Sequence, residues 1–145
     1  MISILALGVM VSIPLIADRV QRTKVRSAAS QYAMVLRAAR MIAVASQRPV
    51  SVNVESHPAN AYSYTDRTGK VRATELPDGV WIDPVESSTE VVFGRDGSLA
   101  SAARTVIASK LSGGRTEVWT VDVPVTGIPQ VRHEIEWSES GYGSP

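Results

Sequence analysis

Apolar and polar positions follow three rhythms along the chain, and each predicts a different kind of element. From Met1 to Ala17 there is no charged side chain, and Ile, Leu, Val, Met and Ala dominate. A helix over these seventeen positions spans roughly 25 Å, a little under the ~30 Å hydrocarbon core of a bilayer. This segment predicts the membrane-spanning first third of a long helix, with Ile4, Leu7, Val11 and Pro14 among its contact residues. No Lys or Arg precedes the run, and Leu15-Ile16-Ala17 is a poor cleavage site, so an uncleaved segment is expected. Pro14 removes the hydrogen bond to the Met10 carbonyl, a defect tolerated in lipid where neighbouring helices satisfy the freed group.

The second rhythm is helical. Ala28, Tyr32, Val35, Ala39 and Ile42 step by four and three, with Leu36 and Ala43 alongside, while Arg26, Ser30, Arg37 and Arg40 take the other side. Tyr32, Val35, Ala39 and Ile42 are therefore expected to pack the helix onto an apolar partner. Arg48-Pro49 stops it, because a residue before proline is pushed toward extended geometry.

The third rhythm is alternation. Val50, Val52 and Val54 interleave with Ser51, Asn53 and Glu55. Residues 62–65 and 70–73 flank the turn Asp66-Arg67-Thr68-Gly69, and Pro77-Asp78-Gly79 leads into Val80-Trp81-Ile82. Glu90 to Phe93 is closed by Gly94-Arg95-Asp96-Gly97, where Gly97 is expected at positive φ. Residues 104–111 and 117–123 pair around Ser112-Gly113-Gly114, with Trp119, Val121 and Val123 on one face. Val131, Ile135 and Trp137 share a final apolar row that includes a partly buried His133. The class predicted is α+β: a long N-terminal helix packed by residues 28–46 on an antiparallel sheet or small β-sandwich of seven or eight strands. The divisions are 1–17 (transmembrane segment), 18–48 (amphipathic continuation) and 49–145 (β-rich head with a loose tail).

Charge sharpens this division. Residues 1–48 hold seven basic side chains and Asp18 alone, a net of +6, and residues 49–145 hold eight basic and thirteen acidic ones, a net of −5. An acidic head is a poor match to phosphate backbones, so nucleic acid is not expected as its partner. The absence of cysteine removes disulfides and thiolate sites. Of the two histidines, His57 lies in a Pro-containing loop and His133 on an apolar row. Ser98 lacks the setting of a nucleophile elbow, Ser112-Gly113-Gly114-Arg115 joins two strands and opens no helix, and no acidic cluster has a calcium-loop pattern. No catalytic, metal or cofactor site is expected.

Three segments together resemble the type IV pilin-like proteins, more narrowly the H-type minor pseudopilins of type II secretion and the minor pilins of the FimT and FimU kind. They are the apolar start through Pro14, Leu36-Arg37-Ala38-Ala39-Arg40-Met41-Ile42-Ala43 followed by Arg48-Pro49-Val50, and Val92-Phe93-Gly94-Arg95-Asp96-Gly97-Ser98, whose Phe93, Asp96 and Gly97 match the family's Phe-x-x-Asp-Gly turn. The resemblance implies a structural subunit of the type II secretion pseudopilus. It would be held by one helix in the inner membrane with its head in the periplasm, and its partners would be other pilins and the inner-membrane assembly platform. The related alternative is a minor type IV pilin serving pilus assembly or DNA uptake. Against uptake, Gly127-Ile128-Pro129-Gln130-Val131-Arg132 carries one arginine where DNA-binding relatives have a Gly-Arg-x-Arg motif. The family's basic leader, processing glycine, phenylalanine and glutamate do not appear, so Met1 is expected to correspond to an internal methionine of the usual apolar segment. By itself the cluster Arg19, Arg22, Lys24, Arg26 would place the body in the cytoplasm, and a basic leader would compete with it.

Overall fold

The computed structural model describes the backbone of residues 2–137 and the side chains of residues 16–136. One helix, α1 (Ile2–Ser46), precedes eight strands: β1 (Val50–Glu55), β2 (Ala61–Thr65), β3 (Val71–Glu75), β4 (Val80–Ile82), β5 (Glu90–Phe93), β6 (Ala103–Lys110), β7 (Arg115–Val123) and β8 (Gln130–Trp137). They form two four-stranded antiparallel sheets, ordered β3-β2-β1-β5 and β4-β6-β7-β8. The fold is the α+β arrangement of a long helix on antiparallel sheets.

Both sheets and the helix share one core. The helix contributes Val25, Ala28, Ala29, Tyr32, Leu36, Ala39 and Ala43, at spacings of three and four. The first sheet contributes Val52, Val54, Tyr62, Val91 and Phe93, and the second Val80, Ile82, Ile107, Val121 and Val123. Alanine at five of the buried helix positions favours the helix and lets its backbone come close to the strands.

The buried stripe is rotated from the one the sequence predicts. Tyr32 and Ala39 are fully buried, whereas Val35 and Ile42 lie at its margin. Contact also begins earlier than residue 28, because Val25 is buried, Asp18 bonds to Ser112 and Arg115, and Arg22 lies 3.5 Å from the Glu117 carboxylate. Arg40 leaves the outer side assigned to it. Its Nε donates to the Gly97 carbonyl at 3.2 Å, which pulls the side chain toward the core.

At the end of α1, Gln47 takes φ 53° and the Arg48 amide donates to the Ala43 carbonyl at 3.3 Å. This six-to-one bond closes a Schellman-type cap one residue before the Arg48-Pro49 pair, at a position where glycine is the usual occupant. Gln47→Gly is expected to stabilise the fold by about 1 kcal/mol, the cost of holding a side chain in the left-handed region. That amounts to a rise of about 2–4 °C in Tm. A lower Tm in circular dichroism would mean that the bond from Gln47 Nε2 to the Val44 carbonyl (2.8 Å) matters more than backbone strain.

Candidate interaction surface

The outward face of α1 carries the least expected chemistry. At 100° per residue, Ile16, Val20, Ser27, Met34 and Met41 fall in one strip opposite the buried stripe. Ile16, Met34 and Met41 are 60%, 58% and 68% exposed. Val20, Ser27, Met34 and Met41 are seven apart, and Thr23, Ala38 and Ala45 fill the strip between them. No charge lies within it. The basic residues are displaced to the flanks, Arg19, Arg26 and Arg37 on one side and Lys24 on the other. A solvated helix face ordinarily bears charge. An uncharged strip with large side chains at heptad spacing loses little hydration when another helix packs on it.

Polar links hold this helix rigidly to the head. Asp18 accepts from the Ser112 amide (2.9 Å) and hydroxyl (2.5 Å) and from Arg115 Nη2 (2.9 Å). The Ser112 hydroxyl and amide bonds, with Arg115 and Arg22 nearby, hold the Asp18 carboxyl below its usual range. The Ser-Gly-Gly-Arg turn between β6 and β7 therefore does cradle an anion, and the anion is the chain's own. One helical turn on, the buried Glu117 faces Arg22 Nε at 3.5 Å and His133 Nε2 at 2.7 Å. Deeper in, the Tyr32 hydroxyl bonds Thr105 Oγ1 at 2.9 Å, and the Tyr32 ring meets Tyr62 edge-on, with centroids 5.0 Å apart.

The turn after β5 supplies the last link. Phe93 is fully buried opposite Val50. Asp96 Oδ1 accepts from the Ser98 hydroxyl (2.7 Å) and amide (3.1 Å), which lowers its pKa. Gly97, at φ 80°, lies under Arg40 and Val44, where an added Cβ would be 3.0 Å from each. The Pro124–Gly127 turn closes against its carbonyl, with Arg40 near both glycines. Phe93, Asp96 and Gly97 thus seat the C-terminal end of α1 on the head.

His133 is partly buried, as its place on the apolar row predicts: its side chain is 39% exposed, pairs with Glu117 and stacks on Trp119 with centroids 4.5 Å apart. Val131 and Ile135 are likewise only partly covered, because β8 is an edge strand that the helix reaches without covering it fully. The side chains of Ile4, Leu7, Val11, Pro14 and Trp137 lie outside the described residues. Among the described residues no helix is long and apolar enough to cross a membrane, and no three His, Asp or Glu come together as metal ligands. Sequence reasoning missed Asp18, Glu117 and Gly127. The signals were present for two of them: Asp18 is the lone acid in a basic stretch, and Glu117 stands in alternation with Trp119 and Val121 on the inner face of β7.

The family model of type II transport protein GspH matches residues 28–127. No curated protein matches the chain. Two crystal structures of the type IV minor pilin FimU of Pseudomonas aeruginosa have a similar fold. One, in space group P21, is 17% identical over 78% of this chain and 90% of its own, with a TM-score of 0.57. The other, in space group P65, is 18% identical over 75% and 91%, with a TM-score of 0.52.

Proposed function

The chain belongs to the GspH family of type II transport proteins, and from that premise we propose that it is a minor pseudopilin of the type II secretion pseudopilus. In this reading it is a structural subunit without catalytic chemistry. Residues 1–17 hold it in the inner membrane before assembly, residues 18–48 continue the same helix, and residues 49–145 form the periplasmic head. Its partners are other pilin-like subunits, brought to it at the inner-membrane assembly platform. Ile4, Leu7, Val11 and Pro14 pack in the filament core, and no cofactor is required.

One observation carries the reading: the uncharged outward strip of α1, clamped to the head at Asp18, Arg22, Tyr32 and Arg40. A rigid helix with an apolar outer face transmits force from a filament to a cap. A photo-crosslinking amino acid at Ser27, in cells carrying the native genes, is expected to join the helix of another pilin-like subunit. Met34→Glu with Met41→Glu is expected to abolish that adduct and shift Tm by less than about 2 °C, since both side chains are exposed. An adduct unchanged by the two glutamates would overturn the reading.

The fold of FimU favours one second reading, a minor type IV pilin. Deleting the gene separates the two: loss of secreted protein with pili intact supports the pseudopilus, and the reverse supports the pilus. The DNA-uptake form of the second reading gains nothing from Arg132, which is ion-paired with Asp122.

A further inference from the structure

The outer edge of the second sheet carries a surface separate from the outward strip of α1. In the order β4-β6-β7-β8 the last strand has no neighbour on its outer edge among the described residues. β8 is eight residues long, without proline, and paired to β7 along its whole length without a bulge, so its free side presents an uninterrupted row of amides and carbonyls. The other edge strands, β3, β4 and β5, have five, three and four residues. Soluble proteins usually blunt a long edge, and this one is blunted only by the outer-face charges Arg132, Glu134 and Glu136, of which Arg132 is ion-paired with Asp122.

The inner face of β8 is also unfinished. Val131, His133 and Ile135 stand opposite Val121, Trp119 and Glu117, of which Val121 and Glu117 are buried and Trp119 partly so. The helix touches β8 without covering it, and Val131 and Ile135 each stay 38% exposed. The helix carries a basic row on the side where Arg26 turns toward this floor. Arg26 lines the same hollow as Trp119 and His133. Arg19 and Arg37, seven residues before and eleven after it, fall on the same line of the helix, about 10 and 16 Å away. All three are exposed, and among the described residues none has an ion partner, whereas Arg22 and Arg40 nearer the core are engaged.

We propose that this edge is a docking site for an extended, acidic segment of a partner protein, which adds to β8 as a further strand beneath the Arg19, Arg26 and Arg37 row. The proposal does not depend on the filament reading. Side chains on one face of an added strand repeat about every 6.8 Å, so a segment with acidic residues at alternate positions places carboxylates along the whole row. Backbone pairing supplies the affinity, and the arginines select the charge. A nucleic acid would meet the same arginines, but it cannot pair with a strand edge.

The probe is a blocked nine-residue peptide alternating threonine and glutamate, titrated by fluorescence anisotropy against the full chain in detergent micelles. It is expected to bind saturably, its lysine counterpart not to bind, and Arg19→Glu with Arg26→Glu to weaken it by about tenfold or more. Circular dichroism checks that the double variant is folded. Two further peptides carry N-methyl groups on alternate residues, one set on threonine and one on glutamate. Only the set whose amides face β8 should lose binding, a parity that purely electrostatic attachment would not produce. Absence of binding, equal binding of the lysine peptide, equal behaviour of the two methylated sets, or tighter binding of a 20-nucleotide DNA that the same variant abolishes would each overturn the proposal.

Discussion

Replacing Gly127 by alanine is expected to lower stability by about 3 kcal/mol or more and Tm by about 10 °C. Gly127 has φ 82°, which alone costs an L-residue roughly 1 kcal/mol. Steric contact costs more, because a Cβ there would sit 1.9 Å from the Gly97 carbonyl oxygen, a backbone atom with no flexible side chain to move aside. That carbonyl also accepts from Arg40, so relief of the clash would loosen the seat of the helix. Gly69→Ala is the control. Gly69 shares φ 82° but has nothing within 4 Å of the added Cβ, and it should lose only what the left-handed backbone costs an alanine, about 1 kcal/mol. Thermal unfolding of the two variants side by side separates conformational strain from close approach. Equal losses would show that the Gly97–Gly127 contact is unimportant.

Removing the Tyr32 side chain should cost a similar amount. Tyr32 is fully buried where the helix meets both sheets, touching Tyr62 of the first and Thr105 of the second. Tyr32→Ala leaves a ring-sized cavity and is expected to destabilise by about 3–5 kcal/mol. Tyr32→Phe keeps the ring but strands the buried Thr105 hydroxyl, at a cost of about 1–2 kcal/mol. The same burial makes the tyrosine a reporter of alkaline stability. Burial pushes its phenol up to about 12. Below pH 10 this contribution is fully present. Between 10 and 12 the unfolded chain ionises while the folded one holds its proton, so about 2–3 kcal/mol is lost as pH rises through that window. Tyr62, raised in the same direction by burial, adds to the slope. Urea midpoints at pH 9, 10 and 11 should therefore fall more steeply for the parent than for Tyr32→Phe. Parallel slopes would place the alkaline sensitivity elsewhere.

What the sequence determined by itself is the set of elements. Hydrophobic period is a local property of the chain, so the helix, its stop near Arg48-Pro49, the hairpin around Asp66–Gly69 and the pairing across Ser112–Gly114 could all be read directly. The Asp96-Gly97 turn was legible for the same reason, since Gly97 takes the positive φ that its neighbours require. Only the tertiary structure decided which side of each element meets which partner. Period locates a helical stripe to within about one residue, or 100°, and that was enough to misplace Arg40 and to draw the stripe toward Val35 and Ile42, which lie at its margin. Alternation likewise marks the two faces of β8 without revealing that the helix covers one of them only in part. The bonds from Asp18 to Ser112 and Arg115 and the Gly97–Gly127 approach join positions far apart in the chain, and such contacts leave no local periodicity from which to read them.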